Sequence, residues 1–358
     1  MLPLESNSSQ PLIIAGMHRS GTSLTASILE QAGVFIGDQL LKANVGNVVG
    51  HFEDEDFLHL HQNILIAQGV SSDGWSAVGS IDVPQQFWRR AQKLCDRRLK
   101  LHKIWGWKEP RTTLFLPFWK QLLPQAKFIL PYRSPWEVVD SLFLRGDPVF
   151  ENNPNFTVEI WLAYNRMILD FYQIHADDCF LFHCDLLKTD ETALIQKINA
   201  KFDLTLTLPT NTLFQSGVMH ADVNSTHRPT LLAHYFPKAL ATYTQLQQIA
   251  DVPTAQSLNI DSQPDMASYY RDWVLQDWRT SNQLNAEIKQ LKTHLETVQT
   301  DLQNAQADLR ETRVLLNQAQ SEATHWRLTI EAMEKNRFWQ MRNAWLSLKK
   351  TAQFWRSH

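Results

Sequence analysis

Four short apolar runs and the amphipathic stretches between them set the outline of the chain. Leu12 to Ala15 reads as a buried strand, followed by a tight loop from Gly16 to Gly21 and a helix from Thr22 to Ala32 that Gly33 stops. Further strands are predicted at Lys103 to Trp107, Lys127 to Tyr132 and Cys179 to His183. Helical stretches separate them, among them Gln85 to Leu101, Trp136 to Leu144 and Thr157 to His175. Strands alternating with helices predict an α/β domain around a mostly parallel sheet.

The texture changes near residue 251. A polar, proline-containing stretch from Asp251 to Pro264 reads as a linker, and a helix starts near Met266. From Leu284 the apolar positions fall in a 4-3 alternation: Leu284, Ile288, Leu291, Leu295, Val298, Leu302, Ala305, Leu309, then Thr312, Leu316, Ala319, Ala323, Trp326, Ile330 and Met333. That is about seven heptads, the pattern of a self-associating coiled coil, with oligomer number left open by Ala and Thr in the seam. Beyond Glu334 the register breaks and the chain becomes basic and aromatic, with Lys335, Arg337, Arg342, Lys349, Lys350 and Arg356 beside Phe338, Trp339, Trp345, Phe354 and Trp355. Such a helix suits an anionic membrane surface, a partner groove or packing on the folded domain. The expected organisation is a disordered N-terminus (1–10), a folded domain (11–250), a linker with a short helix (251–281), a coiled coil (282–334) and a basic aromatic amphipathic helix (335–358).

Composition narrows the function classes. With 44% hydrophobic residues the chain can bury a core, and 34 basic against 37 acidic side chains exert no general pull toward nucleic acid. Any polyanion site has to be local. Cys95, Cys179 and Cys184 have no metal-ligand spacing and fit a reducing compartment. The first residues show no signal-peptide pattern and no apolar run nears 18 residues, so a cytoplasmic protein, peripheral at most to the membrane, is expected.

The loop carries the chemistry. Gly16-Met-His-Arg-Ser-Gly-Thr-Ser23 sits between strand and helix, so backbone N–H groups and the helix N-terminus converge on an anion, with Thr22 and Ser23 adding hydroxyls. A nucleoside-triphosphate P-loop needs a lysine where Thr22 stands. Arg19 supplies the cation instead, which suits a 5'-phosphate next to a singly charged transferring group, with no metal required.

These residues resemble the 5'-phosphosulfate loop of bacterial and Golgi-type sulfotransferases, and three further segments agree. Gly50-His-Phe-Glu53 resembles the element that follows that loop in bacterial members. Trp107-Lys-Glu-Pro-Arg111 resembles a K-[DE]-P element shared with tyrosylprotein sulfotransferases. The stretch from Ala126 through Arg133 to Ser141 resembles the 3'-phosphate-binding element. The resemblance spans roughly residues 11 to 230 and implies a P-loop-like three-layer α/β fold with a mostly parallel central sheet, here joined to a long C-terminal coiled-coil helix. It implies sulfo transfer from 3'-phosphoadenosine 5'-phosphosulfate (PAPS) to an acceptor hydroxyl.

Roles follow from the chemistry and the resemblance together. Gly16, His18, Arg19, Ser20, Gly21, Thr22 and Ser23 would cradle the 5'-phosphosulfate, and Arg133, Ser141 and Arg145 the 3'-phosphate. Glu53 is the expected base, with His51 as the alternative, while Lys108 and Arg19 would stabilise charge on the transferring group. Arg111 would hold either the acceptor or a structural carboxylate. The run His51, Glu53, Glu55, His59 and His61 lacks the H-E-x-x-H order, so no metal site is expected there. Asn224 to Arg228 would form a lid, and the tyrosine of a later family element is replaced in His183-Cys-Asp-Leu186. The acceptor is expected to be a carbohydrate, glycolipid or small hydroxyl compound, with Trp75, Trp88, Trp105 and Trp107 either stacking on sugar rings or filling the core. The competing readings are a small-molecule kinase and a non-catalytic coiled-coil scaffold.

Overall fold

The computed structural model describes residues 9–41, 52–77, 79–208, 227–255 and 266–356. The chain divides into two units, Met1–Gln263 and Pro264–His358.

The first half of the first unit runs β1 (Gln10–Ile14), α1 (Thr22–Gln31), α2 (Glu55–Ala67), α3 (Gln85–Leu101), β2 (Ile104–Lys108), a 3-10 turn (Pro110–Phe115) and α4 (Leu116–Leu122). Next come β3 (Lys127–Tyr132), α5 (Pro135–Arg145), α6 (Pro148–Asn152), α7 (Asn155–His175) and β4 (Cys179–His183). Then α8 (Leu186–Thr189), α9 (Glu191–Phe202), α10 (His227–Tyr235) and α11 (Pro237–Ile249) follow. The strands form one parallel sheet in the order β2-β1-β3-β4.

Side-chain alternation along these strands makes two cores, which is why the sheet needs helices on both faces. Leu12, Ile14, Ile129 and Phe180 point to one face and pack with α1 and α9 through Ile28, Leu29, Leu194 and Ile198. Ile13, Trp105, Trp107, Phe128 and Leu130 point to the other, against α2, α3, α5, α7 and α11. The strands lie close together at Gly106, where a Cβ would sit 1.7 Å from the Leu12 carbonyl oxygen. No other residue fits between β1 and β2 at that point.

The domain does not stop at residue 250. Val252 bridges in parallel to Phe182, the Asp251 carboxylate accepts from the Leu181 amide at 2.8 Å, and Thr254 donates to Asp185 at 2.7 Å. The segment expected as linker therefore starts by extending the edge of the sheet. In the second unit α12 (Met266–Lys335) is one helix across the boundary expected at 282, and α13 (Arg337–Arg356) follows a break at Asn336. The Asn336 side chain accepts from the Phe338 amide at 3.0 Å, which starts the new helix. No helix among the described residues is long and apolar enough to cross a membrane.

Candidate active site

All four strands are parallel, so their C-terminal ends lie along one edge, and the loops leaving that edge are where side chains converge. The loop after β1 is forced into its shape by steric limits. A Cβ on Gly16 would meet the Pro131 carbonyl oxygen at 2.8 Å, and Gly21 caps α1 at φ 84°. Between them Arg19 holds φ 66°, a conformation costing a non-glycine residue about 1 kcal/mol or more. That backbone turns Arg19 toward α5, where its Nε donates to Ser141 Oγ at 2.7 Å. Arg133, just past β3, donates to the Arg19 carbonyl at 3.2 Å and pairs with Glu137 at 3.4 Å.

A cleft of about 640 Å³ opens at this edge, and His18, Arg19, Thr22, Ser23, Glu53, Lys108, Arg111 and Arg145 line it. Asp73, Trp75 and Asp147 line it as well. Glu53 bridges in parallel to Lys108 at the end of β2, and the Lys108 ammonium donates to Glu53 Oε1 at 2.9 Å. Both are buried. Burial lowers the Lys108 pKa, and the neighbouring Glu53 carboxylate opposes that shift.

Arg98 fixes the chain beside Glu53. Its guanidinium is buried and donates to Asp54 at 2.8 Å and to Asp38, while Asp54 caps α2 by accepting from the Asp56 amide at 2.9 Å. Burial raises the Asp54 carboxyl to about 6 even with Arg98 beside it.

Arg111 is held from behind. Glu109 accepts from Arg111 Nη1 at 2.5 Å, and the Arg111 Nε donates to the Ser72 carbonyl at 2.8 Å. The second Glu109 oxygen lies 2.6 Å from His61 Nδ1, and Trp119 donates to His61 Nε2 at 3.0 Å. Since His61 Nε2 accepts, its proton is on Nδ1 and is donated to Glu109. Burial raises the Glu109 carboxyl, but Arg111 and His61 outweigh it and hold it down to about 2.

His18 faces the cleft with its ring 4.5 Å from Trp75, and its Nε2 is shielded from solvent with no hydrogen-bond partner. Burial, then the cations Arg111, Arg145, Lys108 and Arg19, push its pKa well below the usual histidine value. Arg19 is lowered likewise by burial and by Arg145 and Arg133. The cleft is a concentration of positive charge with a neutral imidazole in it.

The expected site residues thus fall into two groups. His18, Arg19, Thr22, Ser23, Glu53, Lys108 and Arg145 line the cleft. Gly16, Ser20 and Gly21 shape the loop, and Arg133 and Ser141 are buried behind Arg19. Arg145 also pairs with Asp147 at 2.6 Å and stacks over Trp75. His51 and residues 224–226 lie outside the described residues, while Arg228 pairs with Asp140. Of the four tryptophans, Trp75 reaches the cleft, whereas Trp105 and Trp107 are core and Trp88 packs on it. His61, one of the residues weighed for a metal, has both ring nitrogens committed to protein partners. Arg111 holds the Glu109 carboxylate and also lines the cleft. The His61–Glu109 and Arg98–Asp54 pairs left no local trace in the sequence.

No curated protein sequence matches the chain. Solved structures similar to it include the sulfotransferase domain of the Synechococcus PCC 7002 olefin synthase, at 17% identity over 72% of this chain and 93% of that one, TM-score 0.38. Sulfotransferase STF9 of Mycobacterium avium matches at 13% identity over 70% and 79% of the two chains, TM-score 0.42. A sulfotransferase of Alicyclobacillus acidocaldarius matches at 12% over 70% and 98%, TM-score 0.40. The profile of the sulfotransferase family matches residues 11–207, more than half of the chain, a stretch that holds β2, β3, β4, nearly all of β1 and the cleft just described. On that match the chain belongs to the sulfotransferase family, enzymes whose sulfo donor is PAPS.

Proposed function

We propose that this enzyme binds PAPS with its 5'-phosphosulfate on the loop from Gly16 to Ser23 and transfers the sulfo group to an acceptor hydroxyl, with Glu53 as base. The observation that carries the reading is the pairing of Glu53 with Lys108 at 2.9 Å on the wall of a cleft that also holds Arg19, Arg111 and Arg145. Sulfo transfer needs a carboxylate to take the acceptor proton and cations where the leaving phosphate gains charge. Both stand side by side at the end of β2.

The loop fits a phosphosulfate on its own geometry. Gly16 leaves no room for a side chain, the α1 N-terminus reaches the cleft through Thr22 and Ser23, and the His18 ring lines the same cleft. Arg133 and Ser141 would take the 3'-phosphate, and Arg19 would then exchange its Ser141 partner for the transferring group. Lys108 would stabilise charge there, while Glu53 holds the acceptor proton. Acceptor selection falls to Trp75 and Asp73, which line the cleft and offer an aromatic ring and an oxygen. A carbohydrate or glycolipid hydroxyl is the acceptor class we propose, on the ground that Trp75 is the tryptophan placed to meet a sugar ring.

Formation of 3'-phosphoadenosine 5'-phosphate (PAP) from PAPS, followed across a panel of sugar, glycolipid and small phenolic acceptors, tests the reading. Acceptor-dependent PAP release that slows by about 10²-fold or more in Glu53→Gln supports it. ATP-dependent phosphorylation of the same panel would instead establish the kinase reading.

A further inference from the structure

The second unit carries an inference independent of the sulfo chemistry. On α12 the apolar seam residues are exposed: Leu284, Leu291 and Val298 at d positions, and Ile288, Leu295 and Leu302 at a positions, are each between 47 and 60% accessible. A 4-3 seam of this length, about 75 Å, is left open only if another helix covers it. The flanking residues say which helix. Positions g, just before each a, carry Glu287, Asp301, Asp308 and Glu322, whereas positions e, just after each d, carry Lys292, Arg313 and Arg327.

In two parallel helices aligned in register, each g side chain meets the e side chain five residues further along the partner. That rule pairs Glu287 with Lys292, Asp308 with Arg313 and Glu322 with Arg327 of a second copy, and sets no like charges together along the seam. An antiparallel pair brings g against g and e against e, so acid would face acid and base would face base. The other e positions are polar or acidic (Asn285, Gln299, Gln306, Gln320 and Glu334), and of the other g positions His294 and Thr329 are polar and Leu315 alone is apolar, so apart from Leu315 the apolar stripe is as narrow as a two-stranded seam needs. Within one chain Arg327 lies 3.4 Å from Glu331, an exposed contact that yields readily to Glu322 of a partner.

We infer that α12 is the dimerisation element of the enzyme, joining two copies of this chain as a parallel, in-register coiled coil. Such an arrangement brings the two copies of α13 to the same end of the coil, so any surface that α13 binds is met by two basic aromatic helices at once.

The test uses the full chain with Ala319→Cys at a d position, under mild oxidation. The native cysteines are buried and give little background. In a parallel in-register pair the two introduced thiols face each other and crosslink. In an antiparallel pair residue 319 lies opposite the region of residue 298, about 30 Å from its counterpart. The expected results are a disulfide-linked dimer and, before oxidation, a solution mass twice 41.5 kDa by light scattering. A monomer or trimer mass, or no crosslink from a dimeric protein, overturns the inference. As a second measure, the chain with Glu287→Lys, Asp308→Lys and Glu322→Lys should dissociate at about ten-fold higher concentration at low salt. Mixing it with the chain carrying Lys292→Glu, Arg313→Glu and Arg327→Glu should restore association. A charge-reversed chain that dimerises as tightly as the native one, with equal helix content by circular dichroism, contradicts the pairing.

Discussion

The ammonium of Lys108 donates to Glu53 at 2.9 Å across the short parallel bridge that ties residue 53 to the end of β2. The two residues are 55 apart in sequence, and the pairing puts a carboxylate and a cation at one point of the cleft wall. Arg98 keeps the arrangement in place from behind by holding Asp54, so the position of Glu53 is set by two buried ion pairs.

Glu53→Gln keeps the shape and removes the base. It should lower kcat by about 10²- to 10⁴-fold while leaving PAP affinity within a few-fold of the native value. Steady-state kinetics together with PAP titration check this. An unchanged kcat would pass the role of base to another residue.

Lys108 should make activity fall on the alkaline side earlier than an ordinary lysine would. Burial lowers its pKa, so the amine loses its proton below the usual 10.5, and with the cation goes the stabilisation of charge in the cleft. Glu53 works against that shift, so Glu53→Gln should move the alkaline limb of its residual activity to still lower pH. A profile of kcat/KM against pH, with stability followed in parallel, reads both limbs. A limb in Glu53→Gln at the native position would show that Lys108 is not the group titrating.

Glu109 should contribute to stability in a defined pH window. Its carboxyl is held at about 2 against an ordinary 4.5, so the folded state favours the charged form. That stabilisation is present in full above about 4.5 and drains away as pH falls toward 2. Glu109→Gln leaves Arg111 without its carboxylate and should cost about 3–5 kcal/mol near neutral pH, with a flatter acid limb. Denaturant unfolding at pH 7 and pH 3 tests it. An equal loss at both values would contradict the assignment.

Gly16→Ala should leave the fold largely intact and disable the loop. The added Cβ would meet the Pro131 carbonyl oxygen at 2.8 Å, so the loop has to shift away from the strand end. PAP affinity should drop by about ten-fold or more. Native affinity in this variant would mean that the loop does not hold the nucleotide.

Much of the fold was legible because parallel strands buried on both faces read as plain apolar runs. Lys127–Tyr132 and Cys179–His183 match the expected strands, and β1 and β2 differ from expectation by one or two residues at their ends. The loop residues were legible for a similar reason, since Gly16, Arg19 and Gly21 are close in sequence and their chemistry is local. What escaped were long-range pairs. His61 with Glu109, and Arg98 with Asp54, are 48 and 44 residues apart, and nothing in periodicity joins them. Nor did composition reveal that Asp251 to Thr254 continue the sheet edge, because a polar strand-like segment at an edge looks like a linker.

The central claim is that the loop after β1 and the residues after β3 form a PAPS site. Calorimetric titration of the native chain with PAP, without magnesium, and of Arg19→Ala and Arg133→Ala, tests it most directly. The account predicts micromolar binding by the native chain that is lost in both variants while each remains folded. No binding of PAP, or binding of ATP only with magnesium, would contradict it.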